Sequence, residues 1–272
     1  MAATYRRRLL TLLLVCSAVA GKTQELFVYT EPASNMPAHS LGARLTNGFA
    51  GNNAAGGSLN YSLIPELMIG VNKNLMVHAE GFFNNNNGAF RAQGAGLYAK
   101  YRFFTHDAVY RHFRMAAYGR LSFNNGAVVQ ETIDTYGQNK GYELGLIATQ
   151  LLHKQAISAS AGYTQVFEPG KQGITNDKAI NYSLSTGRLI LPHNYHDYKQ
   201  VNFNIMADLL GQHLLNSNKS YLDIAPAVQF IFNSQTRIDL GYRQQLYNNG
   251  LLRMNTNGFL LRFEHTFFNA WK

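Results

Sequence analysis

The sequence predicts an all-β fold, a transmembrane antiparallel up-and-down β-barrel of about twelve strands. Two observations carry this. Stretches of about ten residues alternate apolar with polar side chains along most of the chain. The connections between them alternate as well, one set short and the other longer and richer in Asn and Gly. Composition agrees: 17 Phe, 16 Tyr and 24 Gly accompany only 14% charged residues and a mean hydropathy of -0.19. A membrane barrel stays this mild because only every second strand residue meets lipid.

Taken in order, the chain starts with a secretory signal peptide over residues 1–20. Arg6, Arg7 and Arg8 form a basic region, residues 9–15 an apolar one, and Ala18-Val19-Ala20 a small-x-small cleavage site. The apolar run is too short for an anchor helix. Cys16 opens a lipoprotein alternative, but Val15 stands where a small residue is expected before it. Cys16 is also the only cysteine, so the chain beyond it has no disulfide and no thiolate ligand. Residues 21–39 read as an extended lead-in interrupted by Pro32 and Pro37, either a tether or a segment tucked across the barrel mouth. The barrel occupies residues 40–272.

Its expected strands are 41–49, 60–71, 75–83, 93–103, 112–123, 142–152, 156–167, 179–191, 200–211, 221–232, 236–246 and 258–268. Each has the length of a tilted membrane strand. The short connections are 72–74, Thr105-His106-Asp107, 153–154, 192–198 and 233–235. The long ones are 51–58, 84–88, 124–141, 168–177, 215–219 and 248–254. An even strand count leaves both termini on one side.

Apolar parity marks the lipid face, with Leu67, Ile69, Leu97, Leu144, Ile157, Ile205 and Leu240 among its members. Aromatics such as Phe103, Phe123, Tyr142, Phe232 and Phe267 gather at strand ends, as interfacial girdles do. A soluble sandwich or lipocalin-like barrel explains the strand rhythm but not how the chain ends.

That ending is 256-TNGFLLRFEHTFF-268. Phe259, Leu261, Phe263 and Phe267 fall on one face, and Leu260, Arg262, Glu264 and Thr266 on the other. Thr256, Gly258, Leu261 and Phe263 fill a polar-x-Gly-x-x-apolar-x-apolar pattern. It resembles the C-terminal insertion signal of Gram-negative outer-membrane β-barrel proteins, and among them a medium-size, porin-like barrel. The chain departs from the pattern by running past Phe268 to Trp271 and Lys272. The resemblance implies an outer-membrane location, both termini periplasmic, and as partners outer-membrane lipid, periplasmic chaperones and the barrel-assembly machinery.

The opposite parity lines the lumen. Its bases are Arg44, Lys100, Arg102, Arg114, Arg120, Arg237, Arg243 and Arg262, and its acids Glu66, Glu80, Glu143, Asp208, Asp223, Asp239 and Glu264. Bases exceed acids by one, so no strong single-sign selectivity is expected, but rather ion-paired walls around a narrow channel or a filled interior. A hairpin pivoting on Lys73 places Glu66 opposite Glu80 and Met68 opposite His78, with Met76 one step nearer the turn, all five facing inward. Two facing carboxylates call for a cation, and thioether and imidazole neighbours would suit a transition metal; the bland alternative is that Arg44 neutralises Glu66 while the methionines pack.

His265 is the outer-face histidine that a lipid hydrolase or acyltransferase could use, but no serine stands beside it on that face and no G-x-S-x-G motif occurs. His193 and His196 fit a solvated turn better than a surface metal site. Net charge is +9, yet no Lys/Arg cluster follows residue 8, which argues against nucleic acid. No cofactor is expected other than the possible metal ion.

Three functions follow as expectations. The first is a narrow passive channel for small solutes or ions. The second is a closed structural or binding barrel acting through its extracellular loops. The third is a lipid-modifying enzyme.

Overall fold

The structure, a computed structural model, describes residues 27–51, 59–86, 88–126, 128, 130–167, 176–193, 197, 199–253 and 256–271. The signal-peptide residues, most of the 51–58 and 168–177 loops, His196 and Lys272 lie outside the described residues.

Twelve strands close one barrel. They are β1 (Ser40–Gly51), β2 (Leu59–Gly70), β3 (Leu75–Asn84), β4 (Arg91–Ala108), β5 (Arg111–Asn124), β6 (Gly141–Leu152), β7 (Gln155–Val166), β8 (Lys178–Leu191), β9 (Asn202–Leu214), β10 (Lys219–Phe232), β11 (Thr236–Asn248) and β12 (Asn257–Phe267). Each pairs antiparallel with its sequence neighbours, and β1 pairs with β12 to leave no open edge. Below, the terminal end is the one holding the start of β1 and the end of β12; the loop end is opposite.

Parity explains the walls. Along β2, Ile64, Glu66 and Met68 are buried inside, while Leu67 and Ile69 are exposed outside. Leu67, Leu97, Leu144 and Phe259 are each more than half exposed, on an outer wall carrying many other large apolar side chains. A surface so apolar is costly in water and favourable in hydrocarbon.

Most strand boundaries fall within one or two residues of those expected, and the larger departures are in β4 and β9. Thr105-His106-Asp107 is not a turn: a register shift at Arg102/Phe104 lets β4 continue to Ala108, and the chain reverses at Val109-Tyr110. The polar triplet stays in the ladder because Asp107 accepts from His112 and Arg114 across the hairpin. β9 begins at Asn202 rather than 200 and runs on to Leu214. The tail beyond β12 folds back on β1: Ala270 N–H donates to His39 O, and the Trp271 and His39 rings stack at 5.9 Å.

The barrel is filled from both ends. Phe27 and Val28 of the lead-in pack against Leu151, Ala156, Met206 and Ala227 of the inner wall. Nearer the loop end, Ile133 of the β5–β6 connection packs with Val166, Ala179, Leu214 and Leu251. Burying an apolar side chain of this size contributes about 1.5–3 kcal/mol.

Candidate functional site

The lead-in goes further in than a segment across the mouth: residues 28–33 lie along the lumen wall. Two strand cations hold Glu31. Arg44 Nη1 donates to Glu31 Oε1 at 2.9 Å, and Lys100 Nζ reaches Oε2 at 3.3 Å. Lys100 is fully buried and also donates to the carbonyls of Pro32 at 2.6 Å and Ser34 at 2.9 Å. Ala33 N–H donates to Thr149 Oγ1, and Thr30 Oγ1 donates to Asp208 Oδ1. Proline suits this segment, since a chain held by side chains needs no ladder donors. Two inward glycines make room for it. An added Cβ would meet the Tyr29 ring at 2.6 Å on Gly241 and Pro37 O at 2.0 Å on Gly70.

From the loop end, residues 130–139 fold inward. Gln212 holds them through a two-point amide pairing with Ile133. Its Nε2 donates to Ile133 O at 2.6 Å, and its Oε1 accepts from Ile133 N–H at 3.0 Å. Asp134 closes the tip by accepting from the Tyr136 N–H while its own N–H donates to Asn139 Oδ1. Burial pushes the Asp134 carboxyl above its usual range. Tyr136 then donates its hydroxyl to Glu66 Oε1, and Arg120 sits 4.7 Å from its ring centroid. At the loop-end rim, Glu131 is tied to Lys219 Nζ at 2.8 Å and accepts from the Leu252 N–H.

Between lead-in and loop remains a cavity of about 440 Å³, which reaches Phe49, Asn60 and Asn86 at the loop end. Its lining mixes Arg44, Arg120, Arg243 and Arg262 with Glu31, Glu66, Asp134 and Glu143. Such a lining favours small polar or charged guests over apolar ones.

Glu66 pairs with Glu80 and Met68 with His78 across β2–β3, and Met76 stands opposite Gly70. All five side chains are buried on the inner face. His78 Nδ1 lies 3.3 Å from Glu66 Oε2, which also takes Arg44 Nη1 at 3.4 Å. Glu80 Oε1 takes Arg120 Nη2 at 3.3 Å. Arg44 therefore serves three carboxylates, since its Nε donates to Glu264 at 2.7 Å as well.

On the closing strand, Arg237 faces Glu264 and Asp239 faces Arg262. Arg237 Nη2 reaches Glu264 at 2.7 Å, and Arg262 Nε donates to Thr46. Arg243 and Arg253 share Asp223, each at 2.6 Å. Two residues of the expected wall lie toward its terminal end. Arg102 is at the terminal rim, donating to Lys73 O, and Arg114 bridges Ser34 Oγ to Asp107 near that rim. In the ending motif, Thr256 precedes β12, while Gly258, Leu261 and Phe263 lie within it. His265 shares a hydrogen bond with Thr236 Oγ1 at 2.8 Å and packs edge-on against Phe267.

Sequence reasoning missed Glu31, Tyr136, Gln212 and Arg253. One signal was present: Ile133 and Tyr136 are large apolar and aromatic side chains set in an otherwise polar loop.

No protein-family model matches the sequence, and no curated protein matches it. Solved structures do. An outer-membrane channel from Pseudomonas putida F1 aligns with TM-score 0.59 at 9% identity, over 89% of this chain and 100% of that one. The NanC porin aligns with TM-score 0.50 at 11% identity, over 82% of this chain and 98% of that one. At such identities the likeness speaks for the fold alone: the chain has the fold of outer-membrane β-barrel proteins, closed here on twelve antiparallel strands.

Proposed function

We propose that this protein is an outer-membrane channel for small polar solutes or ions whose resting state is closed by its own N-terminal segment. In this reading the termini face the periplasm, so the lead-in closes the periplasmic side. The observation that carries it is the anchorage of residues 28–34 inside the lumen by Arg44 and Lys100. The apolar outer wall and the barrel neighbours support a place in the outer membrane. The charged cavity supports a polar cargo. A lead-in held by a few polar points and by the packing of Phe27 and Val28 can withdraw without unpairing a strand, because its residues 27–39 form no strand.

A second reading is a closed binding barrel. The inward fold of residues 130–139 favours it, because that loop obstructs the lumen independently of the lead-in.

Planar-bilayer recording separates the two. The chain lacking residues 1–20 is refolded beside a variant lacking residues 21–36, and folding of both is checked by heat-modifiable gel mobility. The channel reading expects rare or no openings from the first and sustained discrete steps from the second. A folded deletion variant that stays silent refutes the channel and leaves the binding barrel.

A further inference from the structure

Glu66, His78 and Glu80 stand apart from the other charged groups of the lumen. Each is 3% exposed, and each offers a ligand atom such that all three lie within 4.8 Å of one another. Most buried carboxylates of this wall find a cation or a hydroxyl. Here His78 Nε2 and Glu80 Oε2 are buried with no hydrogen-bond partner among the described residues. Burying a lone pair without a donor is unfavourable unless something else occupies it. The Tyr98 ring, 5.0 Å from that of His78, limits how far the imidazole can turn. Glu66 and His78 also line the cavity, so an ion in the lumen has access to the cluster.

We propose that these three side chains bind one divalent transition-metal ion, Cu2+ or Zn2+ in character, on the lumen wall. One imidazole and two carboxylates form a mixed N/O set that leaves at least one coordination position open to the cavity. Metal–ligand bonds of about 2.0–2.2 Å require the three atoms to draw closer than they stand, which small side-chain rotations supply. The arginines now facing the carboxylates do not forbid this, because each has other partners. Arg44 keeps Glu31 and Glu264, and Arg120 keeps the faces of Tyr98 and Tyr136. Met68, opposite His78, and Met76 add soft sulfur on the same inner face. That neighbourhood disfavours Mg2+ and Ca2+, which take oxygen ligands. The site does not rest on the channel reading, since binding is measured at equilibrium without current.

The test uses the refolded chain lacking residues 1–20, with the exposed His39, His106, His153 and His193, and with them His196, each changed to Ala, stripped by chelator and dialysed against Cu2+ or Zn2+. The expected result is one ion per chain. His78→Gln and Glu80→Gln should each weaken binding more than tenfold, and the Cu2+ electron-spin-resonance spectrum should show a single imidazole nitrogen that His78→Gln removes. Glu80→Gln preserves shape and guards against a misfolded His78 variant. No ion on the folded parent overturns the site. So does unchanged affinity in a folded variant, or a nitrogen signal that survives His78→Gln.

Discussion

Replacing Lys100 with Met isolates the latch. Methionine keeps the unbranched apolar stem and leaves little cavity, so the change removes the ammonium and not the packing. Among the described residues, every side-chain hydrogen bond of Lys100 goes to the lead-in: Pro32 O at 2.6 Å, Ser34 O at 2.9 Å and Glu31 Oε2 at 3.3 Å. The two short ones are charge-assisted, at about 1.5–3 kcal/mol each, and the longer one adds less. Relief from burying the ammonium offsets part of the loss, and Glu31 keeps Arg44. A net loss of about 3 kcal/mol in docking is the balance, or roughly a hundredfold shift toward the undocked state. The assay is maleimide labelling of Val28→Cys in a chain that lacks Cys16. Val28 is fully buried against the inner wall, so labelling reports withdrawal. The rate should rise roughly a hundredfold in the Lys100→Met background. A rise of less than about threefold, well under the 1.4 kcal/mol that each tenfold represents, would show that the apolar contacts of Phe27 and Val28 hold the segment without the lysine.

Two further predictions concern the inner loop. Gln212→Leu leaves the Ile133 N–H and C=O without their partner, a loss of about 2 kcal/mol, so amide exchange over residues 130–139 should accelerate about thirtyfold. Unchanged exchange would mean that the Ile133 packing alone secures the loop. The outer tether depends on pH: hydrogen bonds from Lys219 and from the Leu252 N–H hold the Glu131 carboxyl below its usual range. A depressed carboxyl stabilises the folded form above the ordinary carboxylate range, and the contribution is lost as pH falls through the lowered value. Protection at Leu252, its exchange relative to the intrinsic rate at each pH, should therefore hold at neutral pH and fall only under acid conditions below that range; a fall near pH 6 would contradict it.

The barrel was legible because its signals are local. The Glu66–Glu80 pairing follows from a short turn at Asn72-Lys73-Asn74 and two residues of equal parity, and the place of Arg237 and Asp239 beside Arg262 and Glu264 follows from shared inward parity on neighbouring strands. The contents of the barrel were not legible. Lys100 meets Ser34 across 66 residues and Gln212 meets Ile133 across 79, and no window of alternating residues carries such a contact. Nor did the lead-in, with Pro32 and Pro37, have a period from which to assign a face. At β4 the misreading was chemical. Thr105-His106-Asp107 has the polarity of a turn, but its polarity is spent on cross-strand bonds to His112 and Arg114 in a hairpin whose β4 arm reaches past β3.

The lumen charges make sense only with their contents. Arg44 and Lys100, two inward bases of the strands, share the Glu31 carboxylate, which comes from outside the sheet. Withdrawal of the lead-in therefore both opens the lumen and uncovers positive charge, chiefly at Lys100, because Arg44 retains Glu66 and Glu264. In a narrow lumen that charge lies within a Debye length of any passing ion, about 8 Å at physiological salt, so it acts on permeation and not merely on docking. The opened form should then favour anions. In a salt gradient, the variant lacking residues 21–36 should give a reversal potential of anion-selective sign, and adding Lys100→Met should move it toward zero. A cation-selective potential, or one that Lys100→Met leaves in place, would mean that the passing ion does not run along the wall the lead-in now covers.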